Sequence, residues 1–137
     1  MTTMLALGAY ASWAVAADES LVARGERQWA EGRVAEARAS FEQAARTDPK
    51  SVAPLLKLGG LQLTNREPAA AIQTYQRAIS LDGANARAWI GLGLAYLHAG
   101  QKELARAAFG EAIRVDPSRK AQLASLAEPP AGDERPQ

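Results

Sequence analysis

The chain has no cysteine among its 137 residues, which removes disulfides, thiolate metal sites and lipid attachment at a cysteine beside an export signal. It has one histidine, His98, so no two-histidine metal site and no relay of two histidines can be assembled within one chain. That leaves His98 an ordinary surface or groove residue. No serine stands in the Gly-x-Ser-x-Gly setting that exposes a hydrolase nucleophile. Gly91 and Gly93 follow no strand pattern and precede no Lys-Ser/Thr, so close helix packing, not phosphate binding, is their role. Excess charge is missing too. The 16 basic and 15 acidic residues leave a net charge of +1, whereas a dedicated nucleic-acid binder needs clustered cations against phosphate. No alternating apolar run is bounded by hairpin turn residues, so strands are not expected. These absences argue against an enzyme and imply no catalytic residues, no cofactor and no metal.

What the chain does have is a period. Residues 18–51, 52–85 and 86–119 superimpose without a gap at a spacing of 34 residues. In that register Gly25 meets Gly59 and Gly93, Ala37 meets Ala71 and Ala105, and Phe41 meets Tyr75 and Phe109. Ala44, Ala78 and Ala112 form another column, and Asp48, Asp82 and Asp116 another. A fixed period of this length marks a solenoid, in which each unit buries its apolar face by stacking on the next. Within the third unit, Trp89, Leu92, Tyr96 and Leu97 recur at offsets that form one stripe of a 3.6-residue helix. Gly93, Ala105 and Ala112 let two helices approach closely, with Phe109 filling the space between them. Gly32 and Gly100 break the chain between paired helices. Asp116-Pro117 opens a further helix, because Asp caps free amides and Pro suits the first helical position.

The third unit, Trp89-x-x-Leu92-Gly93-x-x-Tyr96 followed by Ala105, Phe109, Ala112 and Pro117, resembles the tetratricopeptide repeat at each position of its usual pattern. The resemblance implies an all-α fold, an α-solenoid of three helix-turn-helix hairpins. The other two units depart from it. Leu21 and Leu55 stand where the family prefers Trp, Gln28 and Gln62 where it prefers Tyr, and Gly83 where it prefers Pro. Arg24 shares a column with Leu58 and Leu92, so the outer face of the first repeat should be less buried than is usual in the family.

The two ends differ in kind. Residues 1–17 carry no charged side chain, and the apolar stretch from Met4 ends in Ala14-Val15-Ala16-Ala17 before Asp18. This resembles a secretory signal peptide cleaved after Ala16 or Ala17, although basic residues ahead of the apolar stretch are absent. An uncleaved membrane anchor and an extra helix packed on the first repeat are the alternatives, the anchor being short of the roughly 20 apolar residues that span a bilayer. At the other end a capping helix is expected over 118–127, with Leu123 and Leu126 on its inward face. Residues 128–137, with three prolines and almost nothing apolar, should be disordered.

In this family the concave surface is lined mainly by the first helix of each hairpin. The register places Val22, Leu56 and Ile90 in one row there, Glu26, Gly60 and Leu94 in a second, and Trp29, Leu63 and Leu97 in a third. Related domains that hold chaperone carboxyl termini use Lys and Asn where Val22 and Glu26 stand, and the clearest cation near this face is Arg87. The groove is therefore expected to take an apolar peptide or amphipathic helix of a protein partner, with no nucleic acid bound and membrane contact only through residues 1–17. Trp29 could instead pack between repeats. The functional expectation is a non-enzymatic scaffold, exported to the periplasm or anchored facing it, serving bacterial envelope assembly or secretion. A self-assembling homo-oligomer and a tethered accessory subunit of an envelope enzyme stay open beside it.

Overall fold

The computed structural model describes residues 19–128 and Gly132. The signal-like segment 1–17 and the tail beyond Glu128, apart from Gly132, lie outside the described residues. Among the described residues there is no strand. Three hairpins follow one another: α1 (Leu21–Ala30) with α2 (Val34–Thr47), α3 (Ala53–Thr64) with α4 (Pro68–Leu81), and α5 (Ala86–His98) with α6 (Lys102–Val115). A 3₁₀ turn (Pro117–Arg119) then leads into α7 (Lys120–Ala127).

Local chemistry sets the helix ends. The Ser20 hydroxyl accepts from the Ala23 N–H at 3.1 Å and the Asn85 side chain from the Ala88 N–H at 3.2 Å, while Pro54 and Pro68 occupy first turns where no amide is needed. Each hairpin turns with the same two backbone bonds. The N–H of Arg33, Glu67 and Gln101 donates to the carbonyl of Gln28, Gln62 and Tyr96 at 2.9, 2.9 and 2.8 Å, and the residue before each donates back to Trp29, Leu63 and Leu97. That residue must take a left-handed backbone. Gly32 and Gly100 do so at φ 77°, whereas the second hairpin places Arg66 there at φ 59°.

Paired helices meet through a glycine on one and an aromatic ring on the other. A Cβ added at Gly25, Gly59 or Gly93 would lie 2.5, 2.7 or 2.6 Å from a ring carbon of Phe41, Tyr75 or Phe109. Ala37, Ala71 and Ala105 are fully buried beside them. Where Gln28 and Gln62 replace the aromatic, a buried hydrogen bond substitutes for ring packing. The Ser40 hydroxyl donates to Gln28 at 2.6 Å and the Thr74 hydroxyl to Gln62 at 2.7 Å. In the third repeat the same two columns hold Tyr96 and Ala108, with Ala108 buried.

The first helices of successive hairpins touch, α1 with α3 and α3 with α5, while the second helices of successive hairpins do not. The stack therefore curves with α1, α3 and α5 on its inner wall. Arg24 keeps its guanidinium half-exposed, with Glu19 at 3.9 Å, where Leu58 and Leu92 are 5% exposed, as its column implied.

The cap differs from expectation in its inward face. Asp116 accepts from the Ser118 N–H at 3.2 Å and so starts the 3₁₀ turn rather than the helix itself. Leu123 is buried against Ala105, Phe109 and Ala112, and Ala127, four residues on, packs beside it. Leu126 is 39% exposed. Leu92 and Leu58, one and two 34-residue periods earlier, lie on helices packed from both sides, whereas among the described residues α7 touches only α6 and the 3₁₀ turn.

Candidate functional site

The expected rows fall on the first helices α1, α3 and α5. Val22, Leu56 and Ile90 are half-buried, each with part of its side chain given to a core cluster. Leu63 is likewise half-buried, and Leu94 and Leu97 are 37% and 38% exposed on α5. Leu97, placed above both in a helical stripe with Leu92 and in the third row, is exposed, because the buried side of α5 runs through Ala88, Leu92 and Ala95. His98 is exposed in the last turn of α5.

Trp29 serves both of the roles open to it. Its ring meets Phe41 edge-on at a centroid distance of 6.4 Å and rests over Gly60, where an added Cβ would lie 3.5 Å from a ring carbon. The same ring walls a cleft of about 330 Å³ with Glu26, Ala30 and Lys57. A second cleft, about 270 Å³, is lined by Ala53, Leu56, Lys57, Tyr75 and Arg87. A third, about 560 Å³, shares Leu56 and Arg87 and runs past the loop residues Asp82, Asn85 and Asp116. The structure thus brings together Glu26 with Trp29, and Leu56 with Arg87. Val22, Leu63, Ile90, Leu94 and Leu97 line none of these three clefts.

Lys57 joins the first two clefts, and residue-by-residue reading of the rows passed it over. Its ammonium pairs with the Glu26 carboxylate across the gap between α1 and α3. A signal was available, since Lys57 interrupts a column whose other members are Ala23 and Gly91. Arg87 is exposed and, among the described residues, makes no ion pair. Burial pushes the Tyr75 phenol up to about 12, so it is neutral where it borders the second cleft. Among the described residues no group of three or more His, Cys, Asp or Glu could hold a metal ion, and no helix is long and apolar enough to cross a membrane.

A family model described as tetratricopeptide repeat matches residues 22–85 and 56–122. The chain belongs to the tetratricopeptide repeat family. Among curated proteins it is similar to the Protein CTR9 homolog of Arabidopsis thaliana, 28% identical over 106 residues, which is 77% of this chain and 10% of that protein. It is also similar to the peroxisomal targeting signal receptor of Komagataella phaffii, 33% identical over 75 residues, 55% of this chain and 13% of the receptor. The chain therefore spans about a tenth of the length of these relatives. Among solved structures, the type III secretion chaperone SycD of Yersinia enterocolitica in complex with a peptide of the translocator YopD superposes with a TM-score of 0.73 at 19% identity, covering 80% of this chain and 88% of that one. The first tetratricopeptide domain of RPAP3, bound to the HSP90 peptide SRMEEVD, gives a TM-score of 0.70 at 16% identity, covering 78% and 87%. At these identities the two superpositions establish the shared fold.

Proposed function

We propose that this tetratricopeptide repeat domain is a non-enzymatic interaction module whose inner wall binds an apolar peptide or amphipathic helix of a protein partner. The observation that carries this reading is the set of part-exposed apolar side chains, Leu56, Ile90, Leu94 and Leu97, on successive first helices. Structural neighbours that hold peptides support it. Burying each such side chain contributes about 1.5–3 kcal/mol, so three or four anchors give on the order of 5–10 kcal/mol before the cost of association, a micromolar-class contact. The charge-free residues 1–17 support an exported module working in bacterial envelope assembly or secretion.

The test uses peptides selected by the full chain from a displayed random library. Leu94→Asp and Ile90→Asp should each weaken their binding at least tenfold, because a carboxylate replaces an apolar anchor, on variants whose melting is unchanged. Arg87→Ala should weaken it far less. Normal binding by Leu94→Asp together with loss in Arg87→Ala would show that charge reads the groove and would overturn the site. Intact mass of protein recovered from the envelope of a bacterial host tests export, with Met1–Ala16 absent as the expected result.

A further inference from the structure

We infer that the Trp29 end of this groove is a subsite for a cationic side chain, arginine or lysine, of the bound peptide, and that Lys57 is the internal cation that holds the subsite until the peptide arrives. The inference rests on the groove reading above and adds which chemistry the groove selects.

Two helix faces make the subsite. Glu26 and Trp29 lie three residues apart on α1, and so on one face, while Lys57 and Gly60 have the same spacing on α3 opposite them. The indole packs against α3 at Gly60, where even an added Cβ would be in ordinary contact at 3.5 Å, and it meets the Phe41 ring in a T-shaped pair. Trp29 is therefore a rigid wall. The cleft of about 330 Å³ that it shares with Glu26 and Lys57 already contains one cation and one carboxylate beside an aromatic ring. An indole attracts a cation through the negative face of its ring, and a neighbouring carboxylate adds a charge-assisted hydrogen bond.

Lys57 is a replaceable occupant. Its side chain and that of Glu26 are 42% and 45% exposed, and an exposed pair of this kind contributes little. A guanidinium offers Glu26 two parallel donors and a flat face to the indole, neither of which an ammonium supplies. Exchange also keeps the carboxylate compensated, since one cation leaves as another enters. Complementary charge thus favours a peptide whose apolar anchors lie toward α5 and whose basic residue lies toward α1.

The probe is a dodecapeptide from the displayed library and its copy with the basic residue replaced by norleucine. Selected peptides should carry arginine or lysine at one position. Glu26→Gln should weaken the basic peptide about tenfold and leave the norleucine copy unchanged. Lys57→Met, which removes the competitor, should tighten the basic peptide several-fold without affecting the copy. Weaker binding in Lys57→Met would mean that Lys57 itself contacts the ligand, and the inference would fall. Peptides that respond to Leu94→Asp but not to Glu26→Gln would sink the subsite and leave the groove standing. Peptides indifferent to Leu94→Asp would remove both.

Discussion

Arg66 is the one non-glycine residue at positive φ among the described residues, and its column partners Gly32 and Gly100 show what the hairpin turn requires. A side chain in that backbone region costs about 1–2 kcal/mol, of which glycine's greater freedom in the unfolded chain takes back roughly half. Arg66→Gly should accordingly raise stability by about 0.5–1 kcal/mol, seen as a melting point higher by a few degrees. An unchanged or lower midpoint would show that Arg66 earns its place through a contact. The glycines at 32 and 100 were readable as breaks because glycine announces a special backbone. Arg66 was not, since nothing in an arginine signals the left-handed region. The same asymmetry explains Gln28 and Gln62. Both stood out as departures from an aromatic column, but the hydroxyls of Ser40 and Thr74 that satisfy them lie 12 residues away on the facing helix, a pairing visible only once the helices are docked.

At the scale of elements, Tyr75 links hairpins as well as helices within one. Its ring lies against Gly59 of its own repeat, and a Cβ added at Gly91 of the next would fall 2.2 Å from a ring carbon. The ring is held between Gly59 and Gly91. Gly91→Ala should therefore cost about 1–3 kcal/mol by overpacking, despite alanine's better helix propensity. Gly110→Ala in α6, where an added Cβ meets nothing within 4 Å, should instead gain up to about 1 kcal/mol. Denaturant midpoints moving in the same direction for both variants would contradict this packing. Burial also gives Tyr75 a pH signature. Its phenol is raised to about 12 in the folded chain against about 10 unfolded, so its contribution is whole below pH 10 and is lost as pH rises toward 12. Tyr75→Phe should flatten that alkaline decline and leave stability at pH 7 nearly unchanged, which melts from pH 8 to 11 would read directly. The glycine columns made close packing legible, but the reach of Tyr75 forward to Gly91 depends on the stacking angle between repeats. No residue pattern encodes that angle openly.

For the whole molecule, contacts run almost entirely between neighbours, so stability should be distributed along the stack and not shared evenly. The period made the three hairpins legible, and with them the first helices that carry Leu56, Ile90 and Leu94. The cap was legible only as an apolar helix. Which of its residues turn inward depends on α7 having, among the described residues, a packing partner on one side alone, and a repeat register cannot show that. Leu123 closes the C-terminal cluster over Ala105, Phe109 and Ala112. Leu123→Ala removes most of a buried side chain and should cost about 2–4 kcal/mol. In a nearest-neighbour stack that loss should appear first in the last repeat. Native-state hydrogen exchange should accelerate for amides of α5 and α6 while α1 and α2 keep their protection at low denaturant. If every helix accelerates together, the three repeats fold as one cooperative unit, and the end of the stack is coupled to the Trp29 cleft at its beginning.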